Sequence, residues 1–182
     1  VVGKSGTATV SPTEIEYKIE SGISKINTKK MTGKINIIKV VNDWRIKGFK
    51  IGFTNGCFDL LHPGHISLLE KSKKLCDKLI IAINSDASIK KLKGKNRPIQ
   101  NEKARMKILS SLEYCDKICI FEELTPLNII KIIKPDLITK GSDYKKDQIV
   151  GSKEVEKLGG KVVVIELVKG ESTTKIIKKT KP

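Results

Sequence analysis

From residue 50 onward, short apolar runs alternate with longer stretches in which apolar residues recur every three or four positions. The runs are rich in Ile, Val and Leu and predict strands at 50–54, 78–84, 117–121, 136–139 and 161–167. The longer stretches predict helices at 65–75, 102–112, 126–133, 148–158 and 173–179. Uniformly apolar strands that alternate with helices indicate an α/β fold with a doubly wound parallel sheet. Ligands are then expected at the carboxyl ends of the strands.

The first 50 residues have a different pattern. Ser11, with Pro12 after it and Glu14 three positions on, is typical of a helix start, although little apolar sequence comes after it. A polar, lysine-rich stretch comes next, and residues 35–46 then predict an amphipathic helix with Trp44 on its apolar face. We therefore expect an N-terminal helical extension, divided into a segment at 1–20 and a linker with a helix at 21–48, before a main domain at 49–182.

The loop after the first predicted strand carries the residues best suited to chemistry. It consists of Asn55, Gly56, Cys57, Phe58, Asp59, Leu60, Leu61, His62, Pro63, Gly64 and His65. Gly56 would let the backbone approach a phosphate closely, and Pro63 suits the first turn of a helix, whose unpaired N–H groups attract anions. Gly64 leaves room for a nucleotide to pack. His62 and His65, three positions apart, should project from one side and donate hydrogen bonds to phosphate oxygens in a transition state.

These features have other interpretations. A histidine pair can simply cap a helix, but these are the only two histidines in 182 residues, and we favour a functional pair. Gly3, Lys4 and Ser5 resemble the end of a Walker phosphate-binding loop, yet residues 6–10 show no helical pattern. No Gly-x-Gly-x-x-Gly comes after a predicted strand, so a dinucleotide-binding fingerprint is absent from the sequence.

A net charge of +16 raises the possibility of nucleic-acid binding. Only Arg45, Arg97 and Arg105 are arginines, so 33 of the 36 basic residues are lysines, and aromatic residues make up 4%. Readers of nucleic acid favour arginine forks and aromatic platforms. We therefore interpret the lysines as solvated surface that attracts small polyanions, and predict no nucleic-acid partner.

Cysteine usage and hydropathy bear on the compartment. Cys57, Cys76, Cys115 and Cys119 form no Cys-x-x-Cys, which favours reduced thiols over a metal site or disulfides. No stretch approaches the roughly 18 apolar residues of a membrane span, and no signal peptide is evident. We expect a cytoplasmic protein that does not contact membranes.

Six ordered segments resemble the cytidylyltransferase-like nucleotidyltransferase superfamily, and most closely the adenylyltransferase domain of bifunctional heptose 7-phosphate kinase / heptose 1-phosphate adenylyltransferases. They lie at 53–65, 84–88, 92–98, 140–144, 151–155 and 172–177. The resemblance implies a Rossmann-like nucleotidyltransferase fold that transfers AMP from ATP to D-glycero-D-manno-heptose 1-phosphate, giving ADP-heptose for the lipopolysaccharide core. Residues 1–11 resemble the end of a ribokinase-type kinase domain, so we expect 1–20 to be the remnant of a kinase that is lost or separate.

The resemblance also implies roles for individual residues. The expected catalytic residues are His62, His65, Lys93 and Arg105. The expected nucleotide-binding residues are Asn55, Gly56, Cys57, Phe58, Asp59, Gly64, Gly141, Asp143, Ser172, Thr173 and Thr174. Lys93 would lie on a mobile segment at 92–98 that covers the phosphates, since Gly94 lowers helix propensity there. Ser172 to Thr174 would open the last helix and bind phosphate, or merely cap the helix.

The expected cofactor is Mg²⁺, which accompanies ATP, although no carboxylate cluster marks its site. The expected partners are ATP and a sugar phosphate, with a second copy in a homodimer and a kinase domain as further candidates. Three alternatives stay open at this point. They are a cytidylyltransferase acting on glycerol phosphate or a similar molecule, an adenylyltransferase acting on another phosphate such as a flavin or pantetheine phosphate, and a non-catalytic basic nucleic-acid-binding protein. Class I aminoacyl-tRNA synthetases share the histidine motif, but this chain is too short for their other parts.

Overall fold

The computed structural model describes residues 30–166 together with Thr173, Ile176 and Ile177. The helix predicted from Ser11, the segment that resembles a kinase, and the predictions for Ser172 and Thr174 lie outside the described residues. Within the described part, no helix has the length and apolar character needed to cross a membrane.

The described residues form a parallel sheet with helices between its strands. In chain order the elements are α1 (Lys34–Ile46), β1 (Ile51–Gly56), α2 (Pro63–Lys73), β2 (Lys78–Asn84), α3 (Asp86–Lys93), α4 (Glu102–Ser110), β3 (Lys117–Phe121), α5 (Leu127–Ile133), β4 (Leu137–Gly141), a 3₁₀ turn (Lys146–Gln148), α6 (Ser152–Lys157) and β5 (Lys161–Ile165). The strand order is β3-β2-β1-β4-β5, and every pairing is parallel. The predicted doubly wound α/β sheet is confirmed.

Strand β2 shows why the sheet is buried on both faces. Its alternate side chains belong to two separate core clusters, as expected when successive residues of a strand point to opposite faces. Ile80 and Ala82 join the cluster that includes residues of α1, α5 and α6. Leu79 and Ile81 join the cluster that includes residues of α2 and α4. Trp44 packs against the first cluster, so its predicted packing role is confirmed.

The amino-terminal edge of the sheet is fixed by three aspartates, each just before a strand. The carboxylates of Asp77, Asp116 and Asp136 accept hydrogen bonds from backbone amides at the start of the neighbouring strand, at 2.7, 2.7 and 2.8 Å respectively. These bonds satisfy amides that would otherwise lack a partner at the edge of the sheet. The carboxyl edge, by contrast, carries the loops that form the site.

Two helices differ from the prediction. The helix predicted at 148–158 was wrong at its start, because Gly151 adopts a left-handed conformation with φ of +86° and α6 begins only at Ser152. Helix α3 was not predicted at all. It has only eight residues, of which Ser88 and Ile89 are buried, so it is too short for an apolar repeat to be recognised. The Ser85 side chain caps it by accepting a hydrogen bond from the Ser88 amide at 3.1 Å.

Candidate active site

The carboxyl ends of β1 and β4 meet at the centre of the sheet. From β1 the chain winds outward through β2 and β3, and it then returns to the other side of β1 as β4. Such a reversal opens a crevice at the carboxyl ends of the two strands, where doubly wound proteins bind ligands. Here β1 ends with Asn55 and Gly56, and β4 ends with Lys140 and Gly141. The Lys140 Nζ donates a hydrogen bond to the Asn55 carbonyl at 2.6 Å.

The loop after β1 is tightly folded around Phe58. Phe58 is buried and has a φ of +47°, which is rare for a residue with a bulky side chain. A Cβ on Gly56 would lie only 3.0 Å from the Phe58 ring, so a larger residue there would require the ring to shift. Strained backbone of this kind persists where the surrounding structure enforces it, and it clusters at functional sites.

The two histidines lie together at the start of α2. His62 is the residue before the helix, Pro63 occupies the first turn, and Gly64 is buried within it. The imidazole rings of His62 and His65 are stacked, with their centroids 3.8 Å apart, and the Phe58 ring lies 5.0 Å from that of His65. The prediction that both histidines project from the same side is confirmed.

His65 is neutral at pH 7. Burial, together with the charges of His62 and Lys93, lowers its pKa to about 4, and the Leu60 carbonyl opposes these effects by accepting a hydrogen bond. Lys93, at the end of α3, therefore lies close enough for its charge to act on His65, while its expected contact with phosphate stays a prediction. The Nδ1 atom of His65 is buried and has no hydrogen-bond partner among the described residues. Buried polar atoms are rarely left unpaired, so this atom is available to a ligand.

Asp59 anchors a neighbouring loop and does not face an open site. Its carboxylate is buried and accepts hydrogen bonds from the amides of Ile99 at 2.8 Å and Gln100 at 2.9 Å, and from the Arg97 Nε at 2.6 Å. Burial alone would raise the pKa of Asp59, but the bonds from Gln100, Ile99 and Arg97 outweigh it and lower the pKa. Because both oxygens are occupied by protein, we revise the predicted nucleotide contact of Asp59 to a loop-anchoring role.

The contacts of Asp59 also concern the segment at 92–98, which was expected to be mobile. Leu92 and Lys93 belong to α3, and Gly94, with φ of +96°, ends that helix. Arg97 is held by Asp59, so the second half of the expected mobile segment is anchored. The Arg97 Nη2 is buried and has no partner among the described residues. The sequence places Arg97 in one of the six family-like segments but indicates no role for it.

Arg105 is enclosed by protein, with 1% of its surface exposed. Its guanidinium donates to the carbonyls of Gln100 at 3.1 Å, Cys57 at 2.6 Å and Asn84 at 2.8 Å, and to the Asp86 carboxylate at 2.7 Å. A guanidinium has five N–H donors, so most of its capacity is used. A direct phosphate contact would require several of these bonds to break. We therefore revise the predicted catalytic role of Arg105 to the positioning of four segments around the site.

The remaining predicted residues that the structure describes lie at the same edge of the sheet. Thr173 Oγ1 donates to the Leu60 carbonyl at 3.2 Å, which places Thr173 against the histidine loop. Gly141 is buried at the end of β4, and Asp143 is exposed two residues later. Cys57 is partly buried, and its Sγ lies 3.9 Å from the Asn84 side-chain oxygen. No group of three or more His, Cys, Asp or Glu side chains suited to a metal ion occurs within the described part of the chain.

Known proteins resemble this chain in sequence over nearly its whole length. The family model described as cytidylyltransferase-like matches residues 53–179. The bifunctional protein HldE of Paramagnetospirillum magneticum is 49% identical over 98% of this chain, and that of Caulobacter vibrioides is 46% identical over 97%. The chain spans 37% of the length of each of these relatives.

Two solved structures are also similar. The lipopolysaccharide core biosynthesis protein from Thermoplasma volcanium is 34% identical, with a TM-score of 0.56, over 68% of this chain and 100% of that one. The pantoate-beta-alanine ligase from Francisella tularensis is 20% identical, with a TM-score of 0.53, over 81% of this chain and 75% of that one. The second likeness shows the fold alone.

Proposed function

The chain belongs to the cytidylyltransferase-like family, and from this premise we propose that it transfers AMP from ATP to D-glycero-D-manno-heptose 1-phosphate, releasing pyrophosphate and forming ADP-heptose. The observation that carries the proposal is the stacked His62 and His65 pair, which lies at a helix N-terminus beside the crevice of the sheet. Relatives named HldE, 46–49% identical over nearly the whole chain, support the adenylyl donor and the heptose acceptor.

The proposed chemistry needs no general base. The acceptor phosphate is already an anion, and one of its oxygens forms a bond to the α-phosphorus of ATP. The bond from that phosphorus to the bridging oxygen breaks, and the electron pair leaves with pyrophosphate. Catalysis then consists of alignment and neutralisation of the charge that builds up on the phosphates.

Some residues of the site would contact the phosphates directly, and others would hold the surrounding loops in position. His62 and His65 would donate hydrogen bonds to phosphate oxygens, aided by the N–H groups at the start of α2. His65 would do so in its protonated form, because an anionic phosphate beside Nδ1 favours the imidazolium, in which both ring nitrogens are donors. Lys93 and the free Nη2 of Arg97 would add positive charge. Asp59 and Arg105 would act indirectly, because their bonds hold the loop after β1 and the loop at 94–101 in place.

Mg²⁺ would enter the site with ATP, as part of the substrate. The described residues offer no cluster of ligands for a resident ion, and Mg²⁺ commonly keeps several waters and is held largely by substrate phosphates. A divalent ion is expected in this class of reaction because it shields the triphosphate charge.

The setting of the activity is also proposed. The four cysteines are free thiols, which suits the cytoplasm, where ATP and phosphorylated sugars are available. The relatives are named bifunctional proteins, and this name describes them and not the present chain. A kinase that supplies the sugar phosphate, and a homodimer, are further proposals for this chain.

The test is a pyrophosphate-release assay with each nucleotide and each acceptor varied separately. We expect release to require both ATP and heptose 1-phosphate. Release with CTP and glycerol phosphate would instead favour a cytidylyltransferase, and release with ATP and a flavin phosphate would favour the other adenylyltransferase. Binding of DNA with a steep salt dependence, without any ATP binding, would support the nucleic-acid alternative.

The histidine pair is tested by His62→Ala and His65→Ala in the same assay. Each variant should lose at least about 100-fold in turnover, the size of effect seen when one transition-state donor is removed. The melting temperature should stay close to that of the wild type. A similar loss of stability in both variants, without a selective loss of turnover, would mean that the pair only caps α2.

A further inference from the structure

Lys140 occupies a position in the crevice that the proposed function leaves without a role. It lies next to the last residue of β4, one position beyond Thr139, which pairs with Thr54 of β1. Its ammonium reaches across to β1 and donates to the Asn55 carbonyl at 2.6 Å. Asn55 is the second-last residue of β1, and the chain continues from β1 into the loop that leads to the histidine pair. Lys140 is therefore placed where the two strand ends and the expected phosphate site meet.

The Lys140 ammonium has few partners for a partly buried charge. An ammonium has three donors, and the Asn55 carbonyl takes one. The Tyr144 ring centroid lies 5.1 Å from Nζ. Within the described part of the chain, no carboxylate lies within salt-bridge distance of Lys140. Two donors are therefore left for a group that is not part of the described protein.

The environment of Lys140 also disfavours its charge. Burial lowers the pKa of Lys140 to about 8, while Asp143 and Cys57 act in the opposite direction. A neutral donor would suffice to tie the Asn55 carbonyl to β4, without the cost of enclosing a charge. An enclosed ammonium is instead well suited to an anionic ligand. The negative charge of the ligand replaces the favourable interaction with water that the ammonium loses on burial.

We propose that the ammonium of Lys140 binds a phosphoryl oxygen of the substrate in the crevice between β1 and β4, and so positions that phosphate for the reaction. The proposal rests on the proposed function and adds a contact to it. Phosphoryl oxygens occur both on ATP and on the acceptor sugar phosphate, and the test distinguishes the two. Hydrogen bonds between charged groups are stronger than neutral ones, so the contact should matter for affinity.

The test uses the full chain with Lys140→Met, which removes the charge, and Lys140→Arg, which keeps it. KM and kcat are measured separately for ATP and for the sugar phosphate. Lys140→Met should raise KM about 10-fold or more for the substrate whose phosphate it contacts, and less for the other. Lys140→Arg should restore most of the affinity. The matched control is Lys117→Met at the start of β3, on the opposite edge of the sheet, which should leave both KM values unchanged.

A pH profile separates binding from a purely structural role. Lys140 in the free protein loses its proton as the pH rises through about 8, so substrate affinity should fall above that pH. The titratable groups facing Lys140 are Cys57, Asp143 and Tyr144, and burial raises the pKa of Tyr144. Cys57→Ser should keep the fall in affinity, and Lys140→Arg should abolish it, because arginine stays charged throughout.

The proposal is overturned if Lys140→Met binds both substrates like the wild type, or if it lowers the melting temperature while both KM values stay the same. Failure of the proposed function gives a different result. In that case the wild type releases no pyrophosphate with any pair of substrates, and the binding of ATP and inorganic pyrophosphate is measured by calorimetry. Weaker binding of either ligand by Lys140→Met would still support the contact, and equal binding would contradict it.

Discussion

Single polar residues around the crevice fall into two groups. Asp59 and Arg105 are enclosed, and their hydrogen bonds end on protein atoms. His65 and Arg97 each keep a buried polar atom without a partner among the described residues. Leaving such an atom unpaired costs free energy. The first group therefore organises the site, and the second has capacity left for a ligand.

The lowered pKa of His65 predicts that the folded protein loses stability in acid. Its pKa is about 4 in the folded protein and 6.5 without the fold. The unfolded chain therefore binds more protons between these values, and stability falls as the pH drops from 6.5 to 4. The loss should reach about 3 kcal/mol at most. Urea unfolding across this range should show it in the wild type.

The control for this prediction is His65→Gln, which cannot titrate. Its free energy of unfolding should change less between pH 6.5 and 4 than that of the wild type. The lowered pKa of Asp59 affects a separate range, below its usual value of 3.8, so it does not account for this loss. Equal pH dependence in both proteins would show that His65 is not buried in its neutral form.

The enclosed position of Arg105 predicts that its loss lowers stability. Loss of a phosphate ligand would instead weaken mainly substrate binding. Arg105→Met removes four hydrogen bonds and leaves the Asp86 carboxylate and three carbonyls without their donor. We expect the free energy of unfolding to fall by about 3 kcal/mol or more. Lys107→Met, on the exposed side of α4, is the control and should have little effect. A stable Arg105→Met with selectively weak ATP binding would restore the original prediction of a catalytic role.

Local spacing determined which site residues could be identified from sequence. His62, Pro63 and His65 act within one helical turn, so their arrangement could be inferred from their positions. The partners of Asp59, Arg105 and Lys140 are 40, 48 and 85 positions away, at Ile99, Cys57 and Asn55 respectively. No local pattern indicates such contacts. Lys140 lies in one of the six family-like segments, but it is one of 33 lysines and nothing in the sequence indicates its contact with Asn55.

At the level of secondary structure, two helix starts and one loop shape the site. The Ser85 and Asn101 side chains cap α3 and α4 by accepting hydrogen bonds from Ser88 and Ala104 amides. Between these helices the loop at 94–101 returns to Asp59. The apolar repeats predicted the large elements well, because those elements bury one face. They could not predict α3, whose ends are set by a cap and a glycine.

The anchoring of the loop at 94–101 by Asp59 predicts how easily that loop opens to solvent. Asp59→Ala removes the acceptors of the Ile99 and Gln100 amides, so these amides should exchange with solvent at least about 10-fold faster. KM for ATP should also rise, because Arg97 loses its support. Asp77→Ala is the matched control, since its carboxylate accepts from the Lys50 amide at the opposite edge. It should leave exchange at Ile99 and Gln100 unchanged, and unchanged exchange in Asp59→Ala would contradict the anchoring role.

For the whole molecule, the strand order sets where a ligand binds, and the net charge sets which ligands are attracted. The order β3-β2-β1-β4-β5 places the one central crevice of the described sheet between β1 and β4, beside the histidine pair. A net charge of +16 attracts polyanions such as ATP and sugar phosphates over longer distances. The predicted absence of a nucleic-acid partner stays a prediction. The charge alone does not decide it, because the same field attracts small and large polyanions.

The central claim is that the chain moves the α-phosphate of ATP, together with adenosine, onto a sugar phosphate. The most direct measurement tracks isotope-labelled phosphates after ATP and heptose 1-phosphate are mixed with the protein. The account predicts that label from the α-phosphate appears in a nucleotide sugar and that label from the γ-phosphate appears in pyrophosphate. Label from the γ-phosphate on the sugar, or α-phosphate label that never reaches a nucleotide sugar, would contradict it.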